Sequence, residues 1–292
     1  MGKTVKMLAG GGFISACAID ATDIVERARE IHNTSPTASA ALGRALSIGS
    51  LMGGMLKIEG GSITLQFSGN GAGGSIIVVA TNSGDVRGYT QNPLMDVERR
   101  PDGKLDVGSY VGDEGRLTVI KDLRMREPYV GTVSLLGGEI AEDVASYFVE
   151  SEQIPSAVAA GVLVSPDDKI RAAGAYIIQL LPGYSDELAE KIESAVLLSG
   201  SVSTALDSGL SPQELLEKIL AGFEPQLLEE YAPQYRCFCS LERVSRALVS
   251  TGAEALQEMI DDNKGAELTC QFCDAVYTFT SEDLSSLLKN AK

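Results

Sequence analysis

Four cysteines near the C-terminal end, Cys237, Cys239, Cys270 and Cys273, carry the clearest chemistry in the sequence. In Cys237-Phe238-Cys239 the two thiols fall on one side of an extended segment, because side chains there repeat every second residue. Cys270-Gln271-Phe272-Cys273 is a C-x-x-C turn that presents two sulfurs from one tight bend. Four thiolates suit tetrahedral zinc at about 2.3 Å per bond, so one Zn²⁺ held by all four is the expected centre.

Spacing alone leaves the purpose of such a centre open between three readings. A static zinc staple for an interaction module is one. A redox switch is another: C-x-C departs from the usual C-x(2–4)-C of structural sites, and neighbouring thiols can oxidise together. Thiolates kept deprotonated by a metal remain nucleophilic toward peroxide or hypochlorite. Losing an ion bound by roughly 10–16 kcal/mol would exceed the stability of most small domains. The third reading, a thiol-disulfide oxidoreductase, needs a C-x-x-C that follows a strand and opens a helix, and neither pair has that setting.

The elements around the cysteines explain why a metal is needed there. Residues 232–292 read as a cysteine pair, a helix from about Leu241 to Asp261, the second pair in a hairpin, and a short helix after Ser281. So few aromatic residues make a thin core, and a unit of this size commonly depends on a metal or a disulfide. Before it, residues 184–231 are acidic and amphipathic. Ser185 can cap a helix with Leu188, Ile192 and Val196 on one face, and Ser211-Pro212-Gln213-Glu214 is a capping box that opens a second helix burying Leu215, Leu216 and Ile219. Helices this short need a surface to lie on, so the stretch reads as a docked linker.

Residues 1–183 carry the large domain. Thr4 to Ala9 and Phe13 to Ile19 read as strands joined by a glycine turn, Asp23 to His32 as a helix, and Ser35-Pro36-Thr37 as the start of a long small-residue helix running toward Leu56. Runs at 62–67, 75–80, 86–90, 117–121 and 129–135 alternate as antiparallel strands do. Residues 140–150 read as a helix, and 156–165 and 172–180 return to strand. Without a βαβ rhythm, the expected class is α+β.

Composition narrows the partners. A formal net charge of −16 and a pI near 4.5 oppose a phosphate backbone, so no nucleic acid is expected. The charge is densest in residues 184–230, with ten acids against two bases. No run approaches the roughly 18–20 apolar residues of a membrane span. Lys3 and Lys6 before an apolar stretch ending at Cys17 resemble a signal segment only poorly, since Gly10, Gly11 and Gly12 interrupt it. An odd cysteine count concentrated in short spacings argues for a reducing, cytoplasmic setting.

Several motifs have plain structural readings. Gly69, Gly71 and Gly74 satisfy G-x-G-x-x-G but precede a β-branched run where a helix would be required, so a hairpin turn is expected. His32, the one histidine, sits at a helix end, where a surface or capping role is expected. Glu139, Glu142 and Asp143 lie near a helix start, where acids favour the dipole. Cys17 is expected to be a small apolar residue in a strand.

The sequence also resembles a known family over essentially its whole length, the bacterial redox-regulated holdase chaperones of 33 kilodaltons. The resemblance rests on Val86-Arg87-Gly88-Tyr89 with Asn92-Pro93, Gly138-Glu139-Ile140-Ala141-Glu142-Asp143, Ser151 to Ala157, Gln179-Leu180-Leu181-Pro182, and the cysteine pattern with Tyr235-Arg236 before it and Ser240 and Glu242 after the first pair. Gly137, Ala175 and Ala72 depart from the family pattern without touching the cysteines. The resemblance implies a non-enzymatic, ATP-independent holdase that is zinc-bound and inactive when reduced. It further implies that oxidation joins Cys237 to Cys239 and Cys270 to Cys273, releases zinc and loosens the linker. The oxidised form would then dimerise and hold unfolding client proteins.

Overall fold

The computed structural model describes residues 2–262 and 264–290 and divides between Arg236 and Cys237 into two compact units. The first begins with β1 (Lys3–Ala9) and β2 (Ile14–Asp20), α1 (Thr22–His32) and α2 (Pro36–Gly54). A meander follows: β3 (Ser62–Gly69), β4 (Ile76–Thr81), β5 (Val86–Thr90), the short α3 (Val107–Val111), β6 (Gly115–Asp122) and β7 (Tyr129–Ser134). Then come α4 (Ala141–Glu150), β8 (Ser156–Val164), β9 (Ile170–Leu180), α5 (Asp186–Leu198), α6 (Val202–Asp207), α7 (Pro212–Ile219) and β10 (Gln226–Tyr231).

The class is α+β, built on two five-stranded antiparallel sheets of order β10-β1-β2-β9-β8 and β5-β4-β3-β6-β7. The interior strands β2 and β9 of the first sheet bury both faces. On β9, Ala173, Ala175 and Ile177 join the core around α2, while Ala172, Tyr176, Ile178 and Leu180 join a second core with Ile192, Leu215, Leu216 and Ile219 of the acidic helices. This two-sided burial explains why β9 reads as a nearly continuous apolar run instead of an alternation. The second sheet does alternate: Ile63, Leu65 and Phe67 are buried between more accessible neighbours.

Helix α2 can sit deep between such layers because its residues are small. Ser35 caps it, its side-chain oxygen accepting from the Ala38 amide at 3.2 Å, and Pro36 fills the first helical position. A Cβ on Gly49 would lie 2.6 Å from a methyl of Val78, so only glycine lets helix and sheet approach this closely.

The acidic stretch carries α5, α6 and α7, and Ser211 and Glu214 complete the expected capping box reciprocally, at 3.3 Å and 2.8 Å. Its last six residues depart from the helical pattern and form β10, which pairs with β1.

The second unit contains α8 (Leu241–Ser250), α9 (Ala253–Asp261), β11 (Ala266–Thr269), β12 (Val276–Phe279) and α10 (Ser281–Asn290). The single helix expected over 241–261 is two, broken at Gly252, whose φ of 99° ends one helix and admits the next. Its buried apolar core comprises Leu248, Leu256, Phe279 and Leu284, as thin as the composition suggested.

Candidate metal centre

The two cysteine pairs are presented by different local devices. Cys237 and Cys239 lie in a segment without regular structure that ends at Ser240, whose hydroxyl caps α8 by accepting from the Arg243 amide at 3.3 Å. Cys270 and Cys273 occupy the turn of the β11–β12 hairpin. The Cys270 amide donates to the Ala275 carbonyl at 2.9 Å, and the Cys270 carbonyl accepts from Cys273 at 3.2 Å and from Asp274 at 2.9 Å. Asp274 takes φ of 55°, a left-handed conformation that aspartate tolerates better than most residues.

These devices bring four sulfurs within 4.8 Å of one another. Cys237 Sγ lies 3.7 Å from Cys270 Sγ, and Cys239 Sγ 3.4 Å from Cys273 Sγ. A tetrahedron with metal–sulfur bonds of about 2.3 Å has edges of about 3.8 Å, so the donor set fits a tetrathiolate ion. No disulfide joins cysteines among the described residues. The closest sulfurs pair one thiol of C-x-C with one of C-x-x-C, whereas the family resemblance implies bonds within each motif.

The thiols are not electrostatically equivalent. Burial pushes Cys239 upward, but hydrogen bonds from Tyr277 and the neighbouring thiols outweigh it and bring it down to about 7. Burial pushes Cys270 and Cys273 up, with Cys237 adding to the rise at Cys270 and all three other thiols adding to it at Cys273. One thiolate therefore forms readily, while Cys270 and Cys273 need a nearby cation, the proton-linked behaviour of a metal site.

Tyr277, whose hydroxyl donates to Cys239 Sγ at 3.1 Å, was not a sequence candidate. Its signal was only its place on the strand following Cys273. Tyr277→Phe should raise the Cys239 pKa toward that of an ordinary thiol and slow its alkylation at pH 7 several-fold in metal-stripped, reduced protein. Mass-resolved iodoacetamide labelling at Cys239 measures this, and an unchanged rate would remove Tyr277 from the centre.

The other singled-out residues stand elsewhere. Cys17 is buried in β2, where burial pushes its thiol up to about 12, and it belongs to the apolar core. His32 ends α1 as placed, but it is partly buried: its Nε2 lies 3.0 Å from the Gly88 carbonyl and 3.2 Å from the Tyr235 hydroxyl. Gly69, Gly71 and Gly74 lie in and beside the β3–β4 turn, where the Gly71 amide donates to the Val111 carbonyl at 3.0 Å. Glu139 pairs with Arg44 and Arg100, and Asp143 is a buried acceptor of loop amides. Among the described residues, no helix is long and apolar enough to cross a membrane.

Comparison with known proteins covers the chain almost completely. A family model described as Hsp33 protein matches residues 2–280. A 33 kDa chaperonin of Clostridium perfringens is 45% identical over 288 residues, 98% of this chain and 90% of that one. One from Alkaliphilus metalliredigens is 42% identical over 286 residues, 98% of each. The crystal structure of a 33 kDa chaperonin, heat shock protein 33 homolog, from Thermotoga maritima superposes with a TM-score of 0.90 at 32% identity, covering 99% of this chain and 98% of that one.

Proposed function

Because the chain belongs to the Hsp33 family, we propose that it is a redox-regulated, ATP-independent holdase whose sensor is a zinc tetrathiolate formed by Cys237, Cys239, Cys270 and Cys273. The observation that carries this reading is the tetrahedral spacing of the four sulfurs in a unit whose buried apolar core, among the described residues, is Leu248, Leu256, Phe279 and Leu284. In the reduced protein the four cysteines would hold one Zn²⁺, whose positive charge would keep all four deprotonated and close. Functionally, residues 1–183 form the core domain, 184–231 the linker and 232–292 the switch.

With all four held as thiolates, whichever meets peroxide first starts the reaction. Its sulfur loses an electron pair to peroxide, becomes a sulfenic acid, and is displaced on by a second thiolate to give a disulfide and water. Two such events, between Cys237 and Cys239 and between Cys270 and Cys273, consume two peroxides and four protons, yielding two disulfides and four waters. Disulfide sulfur lacks the charge that holds a cation, so the oxidised cysteines would no longer retain Zn²⁺ and the thin unit would unfold. The acidic linker then loosens, apolar surface is bared, and the oxidised chain dimerises and retains unfolding proteins in the bacterial cytoplasm. This is binding without turnover, so the protein is no enzyme. Its acidic charge leaves nucleic acid and membrane outside its partners.

Purified reduced protein should carry about one zinc per chain, four thiolates completing its shell. Peroxide with mild heat should release it, followed with a chromophoric chelator, while light scattering shows suppressed aggregation of a denatured test protein. Zinc release without suppression would overturn the chaperone reading. Thiols that resist oxidant with zinc still bound would identify a static zinc-stapled module, and multiple-turnover insulin reduction an oxidoreductase.

A further inference from the structure

One continuous stretch, Gln226 to Arg236, closes an edge of each sheet in the first unit. Its β10 part pairs antiparallel with β1, Thr4 opposite Tyr231, Lys6 opposite Glu229 and Leu8 opposite Gln226, with a shift in register between Lys6 and Met7. Four residues after Tyr231 the chain bridges at Tyr235 to Val86 of β5, the end strand of the other sheet. The Val86 amide donates to the Gln234 carbonyl and the Arg236 amide to the Val86 carbonyl, both at 2.9 Å. The Gln234 amide donates to Asp85 Oδ1 at 3.0 Å, and the Tyr235 hydroxyl to the Gly88 carbonyl at 2.9 Å. The next residue in sequence is Cys237.

The hold on β1 is made almost entirely by backbone. Five of the six β10 side chains are exposed, Leu227 and Leu228 among them at 47% and 62%, and only Tyr231 packs inward against Gly54 and Gly84. Ion pairs from Lys3 to Glu230 and Lys6 to Glu229 lie toward solvent, where such pairs add little to stability. Each backbone hydrogen bond adds only modestly to stability once the bonds to water that it replaces are counted. A strand with so little apolar burial lies at the low-stability end of its domain, and its departure leaves a row of unpaired amides and carbonyls on β1 and unpairs Val86 at the end of β5.

We infer that, on release of residues 226–236, the bared edges of β1 and β5 take up extended segments of unfolding client chains by strand addition. This rests on the chaperone reading and specifies how clients are held. The seating of β10 shows what the β1 edge recognises: main-chain donors and acceptors, with side chains directed outward and therefore nearly free to vary. Recognition of that kind fits partners that share no sequence and have in common only an extended, unpaired backbone. The replacement strand restores the hydrogen bonds that β10 gave up, and edges sealed in the reduced state cannot pair prematurely.

Residue-resolved amide exchange on the full-length chain tests this in three states: reduced, oxidised, and oxidised with an excess of chemically unfolded citrate synthase. Oxidation should speed exchange at least tenfold at the outward-facing amides of β1 and at the Val86 amide of β5, while β3 stays protected. Added client should restore protection at those same positions. Aggregation suppressed with the edge amides exchanging as fast as in the client-free oxidised protein would overturn the inference and leave the chaperone reading standing. Failure of the oxidised protein to suppress aggregation at all would remove that reading, and this inference with it.

Discussion

Replacing Cys270 with serine should cost the reduced protein its tight zinc binding and the fold of its second unit together. A serine hydroxyl does not ionise near neutral pH, so the centre keeps three thiolates and loses a quarter of its donors. With roughly 10–16 kcal/mol of apparent binding free energy spread over four ligands, about 3–4 kcal/mol goes with one of them, on the order of 10²–10³-fold in affinity. The unit has little with which to compensate. Leu248, Leu256, Phe279 and Leu284 are its buried apolar core, and units of this size rarely stand on such burial alone. Zinc competition against a chromophoric chelator should show the loss of affinity, and amide exchange should show α8, α9 and the β11–β12 hairpin unprotected. The interior strands β2, β3, β4, β6 and β9 should remain protected, since their cores lie within the first unit. Cys17→Ser serves as the control, because Cys17 packs in the core of the sheet. Stoichiometric zinc with a protected hairpin in the Cys270 variant would refute the four-thiolate centre.

The cysteine pattern was legible because the geometry of a metal site is written locally, in spacings of one and two residues and a hairpin turn. The alternating strands of the second sheet were legible for a similar reason, since each has one buried and one open face. β10 was not. Gln226 to Tyr231 contains two glutamates at the end of an acidic helical stretch, and its strand conformation is imposed by the open edge of β1 instead of by its own side chains. Tyr235 and His32 show the same limit, because 203 positions separate two residues that meet at one carbonyl. The break between α8 and α9 did have a local sign, Gly252, which was outweighed by apolar periodicity on both sides.

Asp143 was placed at a helix start for the sake of the dipole, and the structure gives it a larger task. Its carboxylate is fully buried and accepts from the amides of Leu136 at 2.8 Å, Ile140 at 2.9 Å and Gly137 at 3.4 Å. Those bonds brace an unusual backbone. Ile140 has φ of 71° and ψ of −56°, closed by a hydrogen bond from the Ala141 amide to the Glu139 carbonyl at 2.8 Å, which is the strained γ-turn that branched residues avoid. The strain is offset because the Ile140 side chain is wholly buried in the main core, and because Arg44 grips Glu139 through both its carbonyl and its carboxylate. Asp143→Ala leaves the loop amides without their acceptor, each worth about 1–3 kcal/mol when buried, and frees the turn to relax out of its packing. We expect the first unit to lose about 3–5 kcal/mol, read as a lower urea midpoint at unchanged slope. Asp143→Asn keeps one acceptor oxygen but turns an amide donor toward the remaining N–H groups, so it should recover no more than about half of the loss. Glu142→Ala, one residue away and exposed, should stay within about 0.5 kcal/mol of the parent. An alanine variant at Asp143 that matched Glu142→Ala would show that the core, and not the buried carboxylate, holds Ile140 in its turn.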